Sequence, residues 1–462
     1  MDPAATRRST PSTARLSPNT LTSPSASTAH SFSGDVMRQA SRGPLSPRCR
    51  DAVTGCRAVI PGRARLRSTA AGELGLARGA PGCFDEPMTS IASRLGRAPL
   101  LVLVLLLAAC SGAPPADPPP ATSASGSGVL PSEDDLRTAV ESALAGSGVP
   151  GGAVVVSDAA GGSTTVVFGE RAPGEPVTAD TRFAYRSITK SFVGTVILQL
   201  ADEKRLSLED PVSKYVAGVP NGDRITIAEL GDMRSGLANY SARPGLGAML
   251  GKDPARDPQT SELLALSYAV KPVAPGTAYE YSNTNTLLLG EVIRKVTGDD
   301  WVTAVDQRLL RPLKLESVGN GFVSGSENAT GFQLADGKIA EQLPVVAPGW
   351  FGAAGGLTGN AADLAVWGRS LGSGSLVSQG AQRWRLDQFG STADDPASPL
   401  YDAYGFALGR TDGWRGHTGT GLGFQGLVMY DPATEHVIAV LINGTGENPD
   451  LPATVFEAVR KL

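Results

Sequence analysis

Ser187-Ile188-Thr189-Lys190 leads directly into Ser191-Phe192-Val193-Gly194-Thr195-Val196-Ile197-Leu198-Gln199-Leu200. In this stretch Phe192, Val193, Val196, Ile197 and Leu200 recur at helical spacing, which predicts a helix over about 187–204. With Ser187 in its first turn, Lys190 lies three residues on and shares its face. A helix N-terminus offers free backbone N–H groups and a positive dipole end, both suited to a developing oxyanion. A serine hydroxyl is a weak nucleophile until a neighbouring base takes its proton. Lysine can be that base only where desolvation or nearby positive charge lowers its pKa from about 10.4. Taken alone, the tetrapeptide is also what an ordinary N-cap and a solvated face look like.

Residues 134–145 read as a short helix. Two apolar runs, 152–157 and 164–169, flank Asp158-Ala159-Ala160-Gly161-Gly162, which predicts a β-hairpin. The middle of the chain, about 225–375, reads mostly helical with long loops. Strands return at 404–409, 423–430 and 436–442, and a last helix runs over 451–462. Strands at both ends with helices between them predict an α+β, sandwich-like fold. Its antiparallel sheet is built from N- and C-terminal segments, is flanked by helices and carries an inserted, mostly helical domain.

Two further segments bear on the chemistry. Tyr281-Ser282-Asn283 opens a predicted helix over 284–297, in which Leu287, Leu288, Val292 and Val296 are apolar. A phenol aimed at Lys190 can relay a proton to a leaving group. Asn283 offers donor and acceptor together, toward a substrate amide and Lys190. His417-Thr418-Gly419-Thr420 falls between the strands at 404–409 and 423–430. Small residues on an edge strand let a substrate backbone pair alongside. The Thr420 N–H would then be a second oxyanion donor beside that of Ser187, and the Thr418 and Thr420 hydroxyls would hold a substrate carboxylate. Taken alone, Tyr281-Ser282-Asn283 reads as an ordinary turn with a half-buried tyrosine, and His417–Thr420 as a Gly-rich hairpin with an exposed histidine.

Composition narrows the choice. The four cysteines are Cys49, Cys56, Cys83 and Cys110, so the globular part has no disulfide framework, thiolate zinc site or thiol nucleophile. Only His417 and His436 follow Cys110, against a histidine-rich metal site or a zincin helix, and no G-x-S-x-G elbow is present. Neither metal nor cofactor is expected. Residues 1–87 hold twelve Arg, no Lys and six acidic residues, which leaves 29 basic against 39 acidic groups for the rest. A globular part that acidic has no electrostatic footprint for nucleic acid.

Residues 1–87 are rich in Ser, Pro, Arg, Ala and Thr without an apolar period and read as a disordered or mis-assigned extension. Met88 then opens a secretory signal over 88–110: Arg94 and Arg97, the apolar run Leu100–Ala109, and Cys110. Translation is expected to begin at Met88. The apolar run is too short to span about 30 Å of hydrocarbon. Leu107-Ala108-Ala109-Cys110 resembles a bacterial lipobox, implying lipidation at Cys110 and a membrane anchor outside the cytoplasm. A linker follows over 111–131, and the globular domain over 132–462.

In this order and spacing, S-x-x-K at Ser187, Y-x-N at Tyr281 and H-T-G at His417 resemble the penicillin-binding-protein and serine β-lactamase superfamily. The similar branch holds class C β-lactamases, D-alanyl-D-alanine carboxypeptidases and family VIII esterases. The resemblance runs over 136–462 and includes Pro275-Gly276-Thr277, Leu288-Leu289-Gly290, Arg311-Pro312-Leu313, Gly355-Gly356-Leu357 and Gly423-Phe424. It implies Ser187 as acylated nucleophile, Lys190 as base or electrostatic partner and Tyr281 as second proton-transfer group. Asn283 would orient substrate, Thr420 with Gly419 would border the oxyanion, and His417 and Thr418 would shape a carboxylate end. Many relatives carry Lys where His417 stands, which favours a D,D-carboxypeptidase over a lactamase; Arg410 or Arg415 is the candidate replacement charge. Arg234-Ser235-Gly236-Leu237 reads as structural. The implied substrate is a small D-Ala-D-Ala-like peptide or a related amide or ester. A β-lactamase or esterase with the same site and a catalytically idle penicillin-binding sensor are the alternatives.

Overall fold

The computed structural model describes residues 129–395 and 400–462. The extension 1–87, the signal segment 88–110 with Cys110, and all but the last three residues of the linker 111–131 lie outside the described residues.

Strand alternation organises the domain. The main sheet contains β1 (Gly151–Ser157), β2 (Ser163–Ala172), β3 (Glu175–Pro176), β4 (Gly390–Ser391), β5 (Ala403–Gly405), β6 (Leu408–Thr411), β7 (Trp414–Gly421), β8 (Phe424–Tyr430) and β9 (Val437–Ile442). Its order is β3-β2-β1-β9-β8-β7-β6-β5-β4, antiparallel throughout. The chain ends meet at its centre, where Gly152 pairs with Ile442 and Ser157 with Val437. Side chains alternate between faces along each strand, and here both faces are buried. Val154, Val156, Ile438, Val440 and Ile442 meet α1 (Glu133–Leu144) and the terminal helix α5 (Leu451–Val459) through Leu136, Val140, Val455 and Phe456. Ala153, Val155, Val437, Ala439 and Leu441 face the other way, into the core shared with α2 (Thr189–Asp202) and α4 (Ala361–Ser373). The predicted α+β class, with a sheet drawn from both ends of the chain, is what the structure shows.

The helix α2 is almost wholly buried, as expected of a central helix. Phe192 stacks on Trp367 of α4 with ring centroids 3.8 Å apart, and the Trp367 Nε1–H donates to Ser191 Oγ at 2.9 Å. Gly194 is needed because any Cβ there would collide with Ala407. Between β3 and β4 lie the inserted helices, among them Pro244–Lys252, Thr260–Tyr268 and α3 (Asn283–Thr297), which ends on Gly298 in the left-handed region.

The strand predicted over 404–409 is two strands, β5 and β6. Arg385 occupies the carbonyls between them, donating to Phe406 O at 3.0 Å and Ala407 O at 3.4 Å, and Ala407 turns at φ 51°. The H-T-G segment is the end of an eight-residue strand, β7, that lies inside the sheet and not at its edge. Its pairing with β6 stops at Gly416, so 417–421 keep one open side. Two small three-stranded sheets are also present, one joining 183–184, 357–359 and 319–320, the other 332–335, 338–342 and 444–445.

Candidate active site

Ser187 lies in a 3-10 turn, Arg186–Ile188, that runs straight into α2. Arg186 before it is held at φ 51°, a conformation a non-glycine residue adopts only when its surroundings impose it. Those surroundings are visible. The Arg186 guanidinium donates to Gly421 O at 2.9 Å and Leu422 O at 3.2 Å, and it lies 3.9 Å from the Phe351 ring centroid. Tyr185 is fixed behind it, donating to Asn360 O at 2.7 Å. The turn therefore presents Ser187, which is half-buried, from a rigid bed.

Lys190, one turn into α2, is fully buried. Its Nζ is 2.8 Å from Ser187 Oγ and 2.9 Å from Ala354 O, and no carboxylate pairs with it among the described residues. Desolvation therefore holds its pKa well below the usual lysine value. A neutral amine at hydrogen-bond distance from a serine hydroxyl is a competent proton acceptor.

Tyr281 reaches the same point from the extended residues before α3. Lys190 Nζ is 4.9 Å from its ring centroid, and its backbone N–H donates to Asp395 Oδ2 at 3.1 Å. The phenol is buried without a well-formed hydrogen bond. Burial raises its pKa far above the ordinary tyrosine value, the neighbouring Tyr401 adds to this, and the Ser187 hydroxyl draws it partly back. The serine, the amine and the phenol thus converge, as the sequence predicts.

Asn283 sits beside them with its amide engaged elsewhere. Nδ2 donates to Ser241 Oγ at 2.8 Å, and its backbone N–H donates to Asn239 Oδ1 at 3.1 Å. No hydrogen bond joins it to Lys190 among the described residues. Ser235 of the R-S-G-L segment donates to Asn285 Oδ1 at 2.6 Å and so anchors the first turn of α3, a structural part as expected.

The strand β7 closes the fourth side. Gly419 is buried against the Ser187 turn, where an added Cβ would overlap Tyr185 O and stand 2.9 Å from Ser187 N. Only glycine lets the strand come this close. Strand alternation places the N–H groups of Thr418 and Thr420 on one side, and that of Thr418 points away from β8 to the Tyr401 phenol, 2.6 Å away. The Thr420 N–H accordingly faces the open edge beside Ser187. Its hydroxyl is turned to Pro449 O at 3.2 Å.

His417 requires a correction. It does not line a carboxylate end. It is fully buried, with Nδ1 2.6 Å from Thr418 O and Nε2 3.0 Å from Tyr404 Oη. A carbonyl can only accept, so Nδ1 carries the proton and Nε2 accepts from Tyr404. Burial, together with Lys190, pushes its pKa down to about 3, and the ring is neutral at physiological pH. The candidate replacement charges are also committed elsewhere. Arg410 Nε bonds Asp402 Oδ1 at 2.9 Å, and the Arg415 guanidinium lies 5.5 Å from the Tyr430 ring centroid. Among the described residues no group of three or more His, Cys, Asp or Glu side chains is placed to hold a metal.

Residues 136–458 match the family described as Beta-lactamase. The chain belongs to this family, the serine β-lactamase and penicillin-binding-protein superfamily. Among curated relatives, Protein flp of Staphylococcus aureus (strain MW2) is 26% identical over 330 residues, covering 68% of this chain and 64% of its own length. A D-stereospecific amidohydrolase from Streptomyces sp. superposes with a TM-score of 0.61 at 29% identity, over 71% of this chain and 98% of that one. The D-amino acid amidase of Ochrobactrum anthropi SV3, complexed with D-phenylalanine, gives 0.61 at 20% identity over 71% and 99%, a likeness of fold.

Several members of the site gave no signal in the sequence. Ala354 contributes only a carbonyl, and Ser241 and Asn239 lie far from any motif. Tyr401 and Tyr404 bracket His417 from β5 and the residues just before it. Tyrosines placed at i and i+3 ahead of the H-T-G strand were the available clue.

Proposed function

We propose that this protein hydrolyses amide, peptide or ester bonds on the carbonyl side of a D-amino-acid-like acyl group through a Ser187 acyl-enzyme. The observation that carries this is the 2.8 Å contact between Ser187 Oγ and a buried Lys190 amine that has no carboxylate partner among the described residues. Ser187 Oγ attacks the carbonyl carbon as its proton passes to Lys190 Nζ. The N–H groups of Ser187 and Thr420 receive the oxyanion, a contribution of about 10²–10³ per donor in comparable sites. The leaving nitrogen or oxygen takes a proton by way of Tyr281 Oη, and water then cleaves the ester by the reverse sequence. The amidohydrolase likeness at 29% identity supports the D-configured class, of which D,D-carboxypeptidase activity on D-Ala-D-Ala-like peptides is one form. Action outside the cytoplasm, from a lipid anchor at Cys110, belongs to the same proposal and is supported by the signal-like order of 88–110.

The test is intact-mass analysis after exposure to benzylpenicillin and to an alkyl fluorophosphonate. An adduct with at least one of the two reagents is expected on the native chain and none on Ser187→Ala. Labelling that survives in Ser187→Ala, or no labelling by either reagent, would sink the reading.

A further inference from the structure

We infer that Tyr401 is a specificity-determining residue that closes the leaving-group end of the β7 edge to a substrate carboxylate, so that the preferred substrates are amides or esters whose leaving group carries none. This rests on the acyl-serine reading above and narrows its substrate class.

The direction of the leaving group comes first. The oxyanion sits between the N–H groups of Ser187 and Thr420, and the proton for the departing atom comes from Tyr281. The Tyr281 ring packs edge-on against Tyr404 at 6.0 Å between centroids, and Tyr404 lies 5.5 Å from Tyr401. The departing group therefore leaves toward Tyr401 and Thr418. At the other end, Arg186 ties up the carbonyls of Gly421 and Leu422.

At the Thr418 end the recognition groups are already spent. A carboxylate docking on the open side of β7 needs the Thr418 N–H or hydroxyl, or a cation beside them. The Tyr401 phenol oxygen takes the Thr418 N–H at 2.6 Å and shares a hydrogen bond with Thr418 Oγ1 at 2.9 Å. It also stands 3.3 Å from His417 Nδ1, and Thr392 Oγ1 holds the Tyr401 carbonyl at 2.6 Å, so the ring is pinned from both ends. No lysine or arginine among the described residues bonds to Tyr401 or Thr418. Two carboxylates lie nearby. Pro449, which receives the Thr420 hydroxyl, is followed by Asp450, whose carboxylate acts on the Tyr401 phenol. Asp395 lies on the Tyr281 backbone. A substrate carboxylate would lose two hydrogen bonds and meet like charge. Charge-assisted hydrogen bonds of this kind contribute about 10- to 100-fold each.

The experiment uses the full chain turning over a neutral p-nitrophenyl ester, with N-acetyl-D-alanyl-D-alanine and its C-terminal amide as competitors that differ only in the carboxylate. The amide is expected to compete at a concentration at least about 30-fold lower. Tyr401→Phe frees the Thr418 N–H and should shift that ratio about tenfold toward the carboxylate. Asp450→Asn, which leaves the hydrogen bonds intact, should shift it less and in a salt-dependent way. Equal or better competition by the carboxylate, or competition by neither, overturns the inference while the ester hydrolysis stands. If the ester is not cleaved and Ser187 takes no label, the acyl-serine reading falls first.

Discussion

Replacing Gly419 by alanine tests the geometry most directly. The added methyl has no free volume: it overlaps the Tyr185 carbonyl oxygen and stands 2.9 Å from Ser187 N. Neither obstacle is a flexible side chain. Restoring ordinary contact at about 3.5 Å requires β7 or the Ser187 turn to retreat by about 1 Å. The strand is held by β8 through Gly419↔Gly426 and Gly421↔Phe424, and the turn is held by Arg186, so the gap opens between the Ser187 and Thr420 N–H groups. A 1 Å misplacement costs about 10² in rate, and losing one oxyanion donor costs about 10²–10³. Gly419→Ala should therefore lower kcat for a p-nitrophenyl ester by about 10²–10³ with KM little changed. Overpacking of this kind costs about 1–3 kcal/mol, a fall of several degrees in Tm by calorimetry. Gly247→Ala is the control, since its Cβ meets nothing within 4 Å. If Gly419→Ala keeps kcat within about threefold of the native value while folded, the strand does not form the second half of the oxyanion site.

Tyr281→Phe removes a buried hydroxyl that lacks a well-formed hydrogen bond, so stability should hold or rise by about 1 kcal/mol while turnover falls about 10²–10⁴-fold; a Tm loss with activity intact would reverse the assignment. The buried His417, at about 3 against about 6.5 when unfolded, binds its proton first in the unfolded chain, so its effect on stability is absent above about pH 6.5. As pH falls from there toward 3, stability should drop with a slope of up to about 1.4 kcal/mol per pH unit, read by denaturant titration, and His417→Gln should flatten that slope. Cys110→Ala should abolish incorporation of labelled fatty acid and release the protein from the membrane fraction of a bacterial host; unchanged partitioning would remove the proposed anchor.

The sequence made the site legible where chemistry requires a particular side chain. Ser187, Lys190 and Tyr281 are legible because a hydroxyl, an amine and a phenol suit the proposed nucleophile, base and relay, and helical period puts the first two on one face. The sheet could be read from both ends because its strands are nearly unbroken apolar runs, such as Val437–Ile442. Legibility failed where the backbone acts. The Ala354 carbonyl leaves no trace in residue identity, and neither does the Arg385 side chain that splits the predicted strand at Phe406–Ala407. The burial of His417 escapes the sequence for a related reason. A histidine in a Gly-Thr strand has the same letter whether it faces solvent or is sealed between two tyrosines, and only tertiary packing decides which.

Burial disfavours the ionised forms of Lys190, Tyr281 and His417, and for Lys190, which the unfolded chain carries charged at neutral pH, it is a drain on stability. Each of the three sits where its ionised form is disfavoured, by desolvation first in every case. Such displacement costs folding energy unless the group is neutral, and a neutral Lys190 is what the chemistry needs. The cost is tolerable because α2 is packed against Trp367, the Ala407 turn and the sheet along almost its whole length, so it cannot tilt to let water reach the amine. Core mutations that loosen α2, such as Phe192→Ala, should then act twice. They lose about 3–5 kcal/mol of packing, and by admitting water they let the Lys190 pKa climb back toward its ordinary value. Activity should fail at neutral pH and partly return at alkaline pH, where a solvated lysine loses its proton. A variant that is destabilised yet keeps the native pH profile would show that burial by α2 does not set the charge state of the amine.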